Sequence, residues 1–97
     1  MAAYMIVLSE ITDTAWIADY VGQVSALMDK YGGVNVAMGQ DVSVMEGSLS
    51  TPDAATIFRF PDRAAVEGFL NCDEYAPLRD LRNTGSTAQI LIFESSI

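Results

Sequence analysis

A chain of 97 residues has room for one domain with one hydrophobic core. Half of its residues are apolar, which excludes a disordered chain, and its net charge of −8 repels phosphate backbones and argues against nucleic-acid binding. Histidine is absent, so the commonest general base and metal ligand is missing and neither a metal nor a cofactor is expected.

The sequence also sets an expectation for location. It shows neither a secretory signal pattern nor an apolar run long enough to cross a membrane, and its single cysteine, Cys72, cannot form an internal disulfide. We therefore expect a cytoplasmic protein without membrane association.

The first two elements are a strand and a helix. Residues Ala3–Glu10 are rich in β-formers and apolar in both alternating sets, which predicts a central strand covered on both faces. Thr12 or Asp13 is expected to cap a helix whose apolar residues recur every three or four positions up to Tyr31. Trp16 lies beside this apolar stripe and is expected to be an ordinary core aromatic.

The middle of the chain predicts strands. Val34–Met38 and Asp41–Leu49 have strand character and are separated by Gly39-Gln40, so they form either a tight hairpin or one long bulged strand. Ala55–Phe60 is a further strand, ending at Pro61.

Two short helices and a last strand complete the chain. Asp62 is expected to cap a helix that runs to Leu70, and Pro77 suits the first turn of a second helix ending near Asn83. Ala88–Glu94 is the last strand, again apolar on both sides.

The order β-α-β-β-α-β with an added helix predicts an α+β fold, a ferredoxin-like antiparallel sheet with helices on one face. The first and last strands would then expose an apolar sheet face larger than a soluble monomer tolerates. A second copy packed against that face is the simplest cover, so we expect a single domain over residues 1–97 that forms a homodimer.

Glu46 departs from the apolar pattern of its predicted strand. A turn centred between Pro52 and Asp53 would place it opposite Arg59, where the two could form a cross-strand ion pair. The pair is either structural or holds a carboxylate at a pocket mouth, where burial would suit Glu46 to proton transfer.

Tyr75, Arg79 and Arg82 are spaced i, i+4 and i+7, so they share one stripe if the helical turns around Pro77 stay in phase. Two of the five basic residues would then lie beside a phenol, a combination that suits an organic anion. The alternative is a solvated face that pairs with Asp80 and neighbouring acids.

Motifs across nearly the whole chain resemble the domain of unknown function thirteen-thirty family of the dimeric α+β barrel superfamily. The residues that carry the resemblance are Asp13, Tyr20, Lys30-Tyr31-Gly32-Gly33, Glu46-Gly47, Phe60-Pro61, Glu74-Tyr75 and Arg82. The resemblance implies a two-fold dimer whose sheets form a barrel and a cleft between sheet and helices. It further implies the pocket residues Asp13, Tyr20, Tyr31, Glu46, Tyr75 and Arg82.

Taken together, these features predict a small, partly apolar organic acid as ligand, with Arg82, Arg79 and Tyr75 binding its carboxylate and Glu46 available as the catalytic group. Related barrels suggest cofactor-free isomerisation or oxygenation. The alternative is a binding or assembly module without catalysis.

Overall fold

The computed structural model describes residues 1–97, which form four strands and three helices. In chain order these elements are β1 (Ala3–Ile11), α1 (Ile17–Lys30), β2 (Val34–Gln40), β3 (Ala54–Phe60), α2 (Arg63–Asn71), α3 (Ala76–Asn83) and β4 (Ser86–Glu94). None of the helices, of which α1 is the longest at 14 residues, has the length and apolar character needed to cross a membrane.

The strands form one antiparallel sheet in the order β2-β3-β1-β4. The core lies on one face of this sheet, where Ala3 and Met5 of β1 pack with buried side chains from all three helices. Phe69 of α2 is central to it, with its ring 5.8 Å from Phe60 and 4.8 Å from Tyr75 between centroids. The predicted α+β ferredoxin-like sheet with helices on one face is confirmed.

Local signals at the helix ends act as the sequence predicts. Asp62 caps α2, accepting the Ala65 N–H at 2.8 Å, and Pro77 lies in the first turn of α3. Gly32 ends α1 with a positive φ of 78°, and its missing Cβ makes room for Pro61. The cap at Asp62 and the position of Pro77 are short-range features that need no knowledge of the tertiary fold, whereas the approach of Pro61 to Gly32 is a tertiary contact.

The start of α1 differs from the expectation. The helix begins at Ile17 after Trp16, and no side chain caps it. Asp13 lies too far upstream: its carboxylate accepts the N–H of Ala15 at 3.0 Å and shapes the preceding turn instead.

The segment 41–53 contains no strand, so the prediction for Asp41–Leu49 was wrong and neither proposed arrangement of the two segments forms. β2 contains a bulge between Asn35 and Ala37 and ends at Gln40, and Asp41 then turns the chain out of the sheet with a φ of 56°. At its far end the segment is tied to β1, where Asp53 accepts the Ile11 N–H at 2.7 Å.

The predicted pairing of Glu46 with Arg59 was therefore also wrong. Arg59 lies opposite Val34 of β2 and Tyr4 of β1, while Glu46 is exposed in the segment between β2 and β3. The error follows from the turn: the reversal takes thirteen residues instead of a tight turn around Pro52.

The face of the sheet that carries no helix is apolar. Tyr4 and Phe93 are paired across β1 and β4 and stack with ring centroids 5.5 Å apart. Leu91 and Phe93 remain 51% and 48% exposed, and Ile6 and Leu8 of β1 are only half-buried. The expectation that the first and last strands, β1 and β4, would present apolar side chains on this face holds for this chain.

Candidate ligand cleft

A cavity of about 760 Å³ separates α1 from the β2-β3-β1 part of the sheet. Fifteen of the 24 residues that line it are hydrophobic. It exists because α1 packs tightly only through its second half, where Val24, Leu27 and Met28 are buried. The first half, with Ile17 and Tyr20, faces the cavity instead of the sheet.

Only two charged side chains lie on the wall of this cavity, Asp29 and Arg82. Asp29 is exposed near the end of α1, whereas Arg82 is 8% exposed. The buried part of the cavity therefore has a positively charged group and no carboxylate, although the chain as a whole is strongly acidic.

Arg82 is held by neutral partners. Its Nη1 donates to the hydroxyl of Tyr75 at 2.9 Å and its Nη2 reaches the amide oxygen of Asn83 at 3.4 Å. Its Nε is buried without a hydrogen-bond partner, and the two ion pairs of the structure, Lys30–Glu74 and Arg63–Glu67, do not include it. A buried guanidinium without a charged partner is costly, and an anion bound in the cavity would offset that cost.

Tyr20 of α1 continues the hydrogen-bonded series that begins at Arg82 and Tyr75. Its hydroxyl lies 2.9 Å from that of Tyr75, so Arg82, Tyr75 and Tyr20 form a continuous hydrogen-bonded row between α3 and α1. Burial, and next the neighbouring Tyr75, raise the pKa of Tyr20 well above its ordinary value. The Tyr20 phenol therefore stays neutral and keeps its proton at physiological pH.

Counting donors shows what this row, the Arg82–Tyr75–Tyr20 cluster, still lacks. Each phenol has one O–H, and only one of the two protons is used in the Tyr20–Tyr75 bond. One phenolic O–H therefore remains without an acceptor in the chain, whereas the unpaired Nε–H of Arg82 is buried within the protein and does not face the cavity. The cluster is thus built to donate, and an oxygen anion is the group that satisfies it.

Trp16 belongs to the same end of the cavity, although the sequence pattern gave it only a core role. Its ring packs edge-on against Tyr20 with centroids 5.4 Å apart, and its buried Nε1 has no hydrogen-bond partner. A Cβ on Gly85 would lie 2.8 Å from that Nε1, so the glycine makes room for the indole. Nothing in the local spacing of Trp16 distinguished it from the core stripe of α1.

Arg79 shares the neighbourhood of Tyr75 but not the cavity. Its guanidinium lies 5.2 Å from the Tyr75 ring centroid, and its Nη2 donates to the carbonyl oxygen of Leu70, near the end of α2. The predicted stripe does bring both arginines to Tyr75, one to the ring and one to the hydroxyl. Arg79 is committed to a carbonyl oxygen and stays outside the cavity wall.

Three other predicted pocket residues do not line this cavity: Asp13, Tyr31 and Glu46. Asp13 is exposed and its N–H donates to the Gly85 carbonyl at 3.1 Å. Tyr31 is half-buried and packs edge-on against Phe69, and the adjacent Cys72 thiol raises its pKa. Ligand roles for these three residues remain predictions made from the sequence.

Comparison with known proteins gives a family and a fold. A family model described as Domain of unknown function (DUF1330) matches residues 2–96, and no curated protein sequence matches the chain.

Three solved structures illustrate the fold. A protein of unknown function from Rhodopseudomonas palustris is 16% identical with a TM-score of 0.82, over 99% of this chain and 83% of that one. SnoaB, a cofactor-independent oxygenase from Streptomyces nogalater, is 12% identical with a TM-score of 0.69, over 99% and 94%. A dimeric ferredoxin-like protein of unknown function from Jannaschia is 11% identical with a TM-score of 0.72, over 98% and 100%. At such identities the likeness concerns the fold alone.

Proposed function

The chain belongs to the DUF1330 family, whose description names no reaction, and from the chemistry of its own cleft we propose that it binds a small, partly apolar organic acid. The observation that carries the proposal is Arg82, a buried guanidinium on the cavity wall that no carboxylate of the chain neutralises. A ligand carboxylate or enolate would supply the missing charge.

The apolar part of the cavity wall indicates the chemistry of the ligand beyond its acid group. Side chains such as Val7, Val24, Met28 and Phe58 make most of the surface apolar. The volume of about 760 Å³ lies within the range of cofactor and small-molecule sites. The ligand is therefore an acid with a substantial hydrocarbon part, and it is held by burial of that part as well as by Arg82.

The Arg82–Tyr75–Tyr20 cluster also suits a reaction that develops negative charge on oxygen. Donors fixed in advance in a water-poor site stabilise an oxyanion more than they stabilise the neutral ground state. Cofactor-free isomerisation or oxygenation of the bound acid is the reaction class that we attach to this site, and the fold that the chain shares with SnoaB is compatible with it.

A binding module without catalysis is the second candidate, and one observation favours it. Asp29, the only carboxylate on the cavity wall, is exposed, so the cavity of one chain holds no buried general base. Glu46, the catalytic candidate from the sequence, lies outside it. Deuterium exchange of acidic C–H groups in a bound ligand separates the two candidates, because only an enzyme catalyses it.

We also propose that the single domain over residues 1–97 functions as a homodimer through the helix-free face of its sheet. The exposed Leu91 and Phe93 support this, as does the dimeric state of the Jannaschia protein. Sedimentation velocity over a hundredfold concentration range tests it, and a monomer at every concentration would contradict it.

The ligand proposal is tested with a charged and a neutral probe of the same shape. We expect 2-naphthoate to bind the protein at least tenfold more tightly than 2-naphthamide in calorimetric titrations, because only the carboxylate pairs with Arg82. Arg82→Gln should remove this preference, and Tyr20→Phe should reduce it.

The matched control is Arg63→Gln, which deletes the same charge from an exposed arginine that pairs with Glu67 at the surface of α2. It should bind 2-naphthoate as the wild type does. Equal affinity for both probes, or an equal loss in both arginine variants, would show that Arg82 does not select the acid.

A further inference from the structure

A second group of polar side chains lies on the floor of the cleft, away from Arg82. Ser9 of β1, Thr56 of β3 and Gln40 of β2 all line the cavity. None of these three side chains makes a hydrogen bond within the chain.

The sheet register brings the three together. Ser9 and Gln40 are the two cross-strand neighbours of Ala54, one on each side, and Thr56 is two residues along β3 from Ala54. Residues two apart on a strand share a face, so all four point to the helix side. The small Ala54 side chain leaves a depression with a hydroxyl or an amide at its borders.

Polar residues at these positions reverse the usual pattern of a sheet. Further along the same face, Met5 pairs with Phe58 and Ile92, and all three pack in or against the core. Where α1 stands away from the sheet, Ser9, Thr56 and Gln40 add hydroxyl and amide groups to a floor that also contains Val7, Ile11 and Met38. On the opposite, outer face the adjacent Leu8 and Ala55 are apolar. The half-buried Ser9 and Thr56 thus place their hydroxyls on the cavity side of the sheet, and Gln40 is exposed at its edge.

The sheet order also gives the approximate separation between Thr56 and β4, the strand that follows the helix of Arg82. Arg82 lies on α3, which leads directly into β4, whereas Thr56 lies on β3, two strands across from β4. Two strand spacings amount to about 10 Å. Thr56 and Gln40 therefore lie at least two strands from β4, within the length of a two-ring ligand, whereas Ser9 on β1 lies one strand from β4.

We infer that Ser9, Thr56 and Gln40 around Ala54 form a second, uncharged subsite, which binds a hydroxyl or carbonyl group of the ligand at the end opposite its acid group. The inference rests on the proposed acid-binding function and narrows its ligand class to oxygenated acids with polar groups at both ends. Plain hydrocarbon acids leave this subsite to water and bind less tightly.

The test uses three naphthoates that differ only in a hydroxyl group. 6-Hydroxy-2-naphthoate has the hydroxyl at the far end of the rings, 3-hydroxy-2-naphthoate has it beside the carboxylate, and 2-naphthoate lacks it. We expect the 6-hydroxy compound to bind the wild type about five- to tenfold more tightly than 2-naphthoate, as one or two neutral hydrogen bonds allow. The 3-hydroxy compound should show no such gain.

Substitutions then show which side chains provide the added affinity of the 6-hydroxy compound. Thr56→Val and Ser9→Ala should each reduce the ratio of the 6-hydroxy compound's affinity to that of 2-naphthoate. Thr87→Val is the control, since Thr87 is exposed on β4 and does not line the cavity. Arg82→Gln should weaken both compounds while their ratio stays the same.

The outcomes separate the two proposals. If 2-naphthoate binds through Arg82 but the 6-hydroxy compound gains nothing, or keeps its gain in Thr56→Val and Ser9→Ala, the second subsite is refuted and acid binding stands. If none of the naphthoates binds the wild type at millimolar concentration, the acid site itself is refuted, and the subsite with it.

Discussion

Removing one oxygen atom from Tyr75 should destabilise the protein more than removing the equivalent atom from Tyr20. Tyr75 accepts the Arg82 Nη1–H at 2.9 Å and also bonds to Tyr20 at 2.9 Å, whereas Tyr20 bonds only to Tyr75. A neutral hydrogen bond contributes about 1 kcal/mol and one to a charged group about 1.5–3 kcal/mol. We therefore expect a loss of about 2–4 kcal/mol for Tyr75→Phe and about 0.5–1.5 kcal/mol for Tyr20→Phe.

The two substitutions should also be non-additive. Both remove the same Tyr20–Tyr75 bond, so the double variant should unfold at nearly the same free energy as Tyr75→Phe alone. Phenylalanine keeps the ring of residue 75 against Phe69, so packing changes little. Tyr4→Phe, on the outer sheet face, should change stability by less than about 0.5 kcal/mol.

Urea unfolding at one fixed protein concentration measures these differences and keeps any dimerisation contribution constant. Equal losses for Tyr20→Phe and Tyr75→Phe, or losses that simply add in the double variant, would show that Tyr75 is not the central member of the row.

Three further predictions concern single contacts. The pKa of Tyr20 is higher in the folded protein than in the unfolded chain. The contribution of Tyr20 to the free energy of unfolding is therefore complete below the ordinary tyrosine pKa of about 10, and it declines as the pH rises above that value. Urea midpoints across that range should therefore fall less steeply in Tyr20→Phe. Gly85→Ala should cost about 1–3 kcal/mol in thermal unfolding, because the added Cβ meets the backbone carbonyl oxygen of Asp13 and the Trp16 indole. Asp62→Ala should cost about 1 kcal/mol in the same assay by freeing the Ala65 N–H, and Asp62→Asn should restore most of it.

Features fixed by short-range chemistry were accessible from the sequence. The continuous apolar run of β1, the cap at Asp62 and the position of Pro77 each depend on a few neighbouring residues, and each lies where predicted. The order of the predicted elements indicated the ferredoxin-like topology, the family motifs agreed with it, and the sheet order confirms it.

The error at Asp41–Leu49 shows where such reasoning ends. Val42 and Val44 alternate as strand residues do, yet the predicted register required pairing with β3, whose two edges are occupied by β1 and β2. Alternation reports the preference of one segment and not the space available to it. The Glu46–Arg59 pair was derived from that strand and failed with it.

The site was predicted only in part for a similar reason. The spacing of Tyr75 and Arg82 along one helix was visible in the sequence, and their contact exists. The direct contact between Tyr20 and Tyr75 joins residues 55 positions apart, so only the family motif pointed to Tyr20. Trp16 and the Ser9–Thr56–Gln40 floor depend on where α1 leaves the sheet, which no local pattern encodes.

The partial docking of α1 has a consequence for how a ligand reaches the cleft. The first two turns of the helix rest on the edge-on contact of Trp16 with Tyr20 and on the Tyr20–Tyr75 bond, while its buried apolar residues all lie further along. Fraying of those turns breaks few contacts, so backbone amides there should exchange with solvent faster than those near Met28. We therefore expect fraying of these first turns of α1 to open the cavity to a ligand. An acid bound to Tyr20 should stabilise the turns and slow the exchange of their amides.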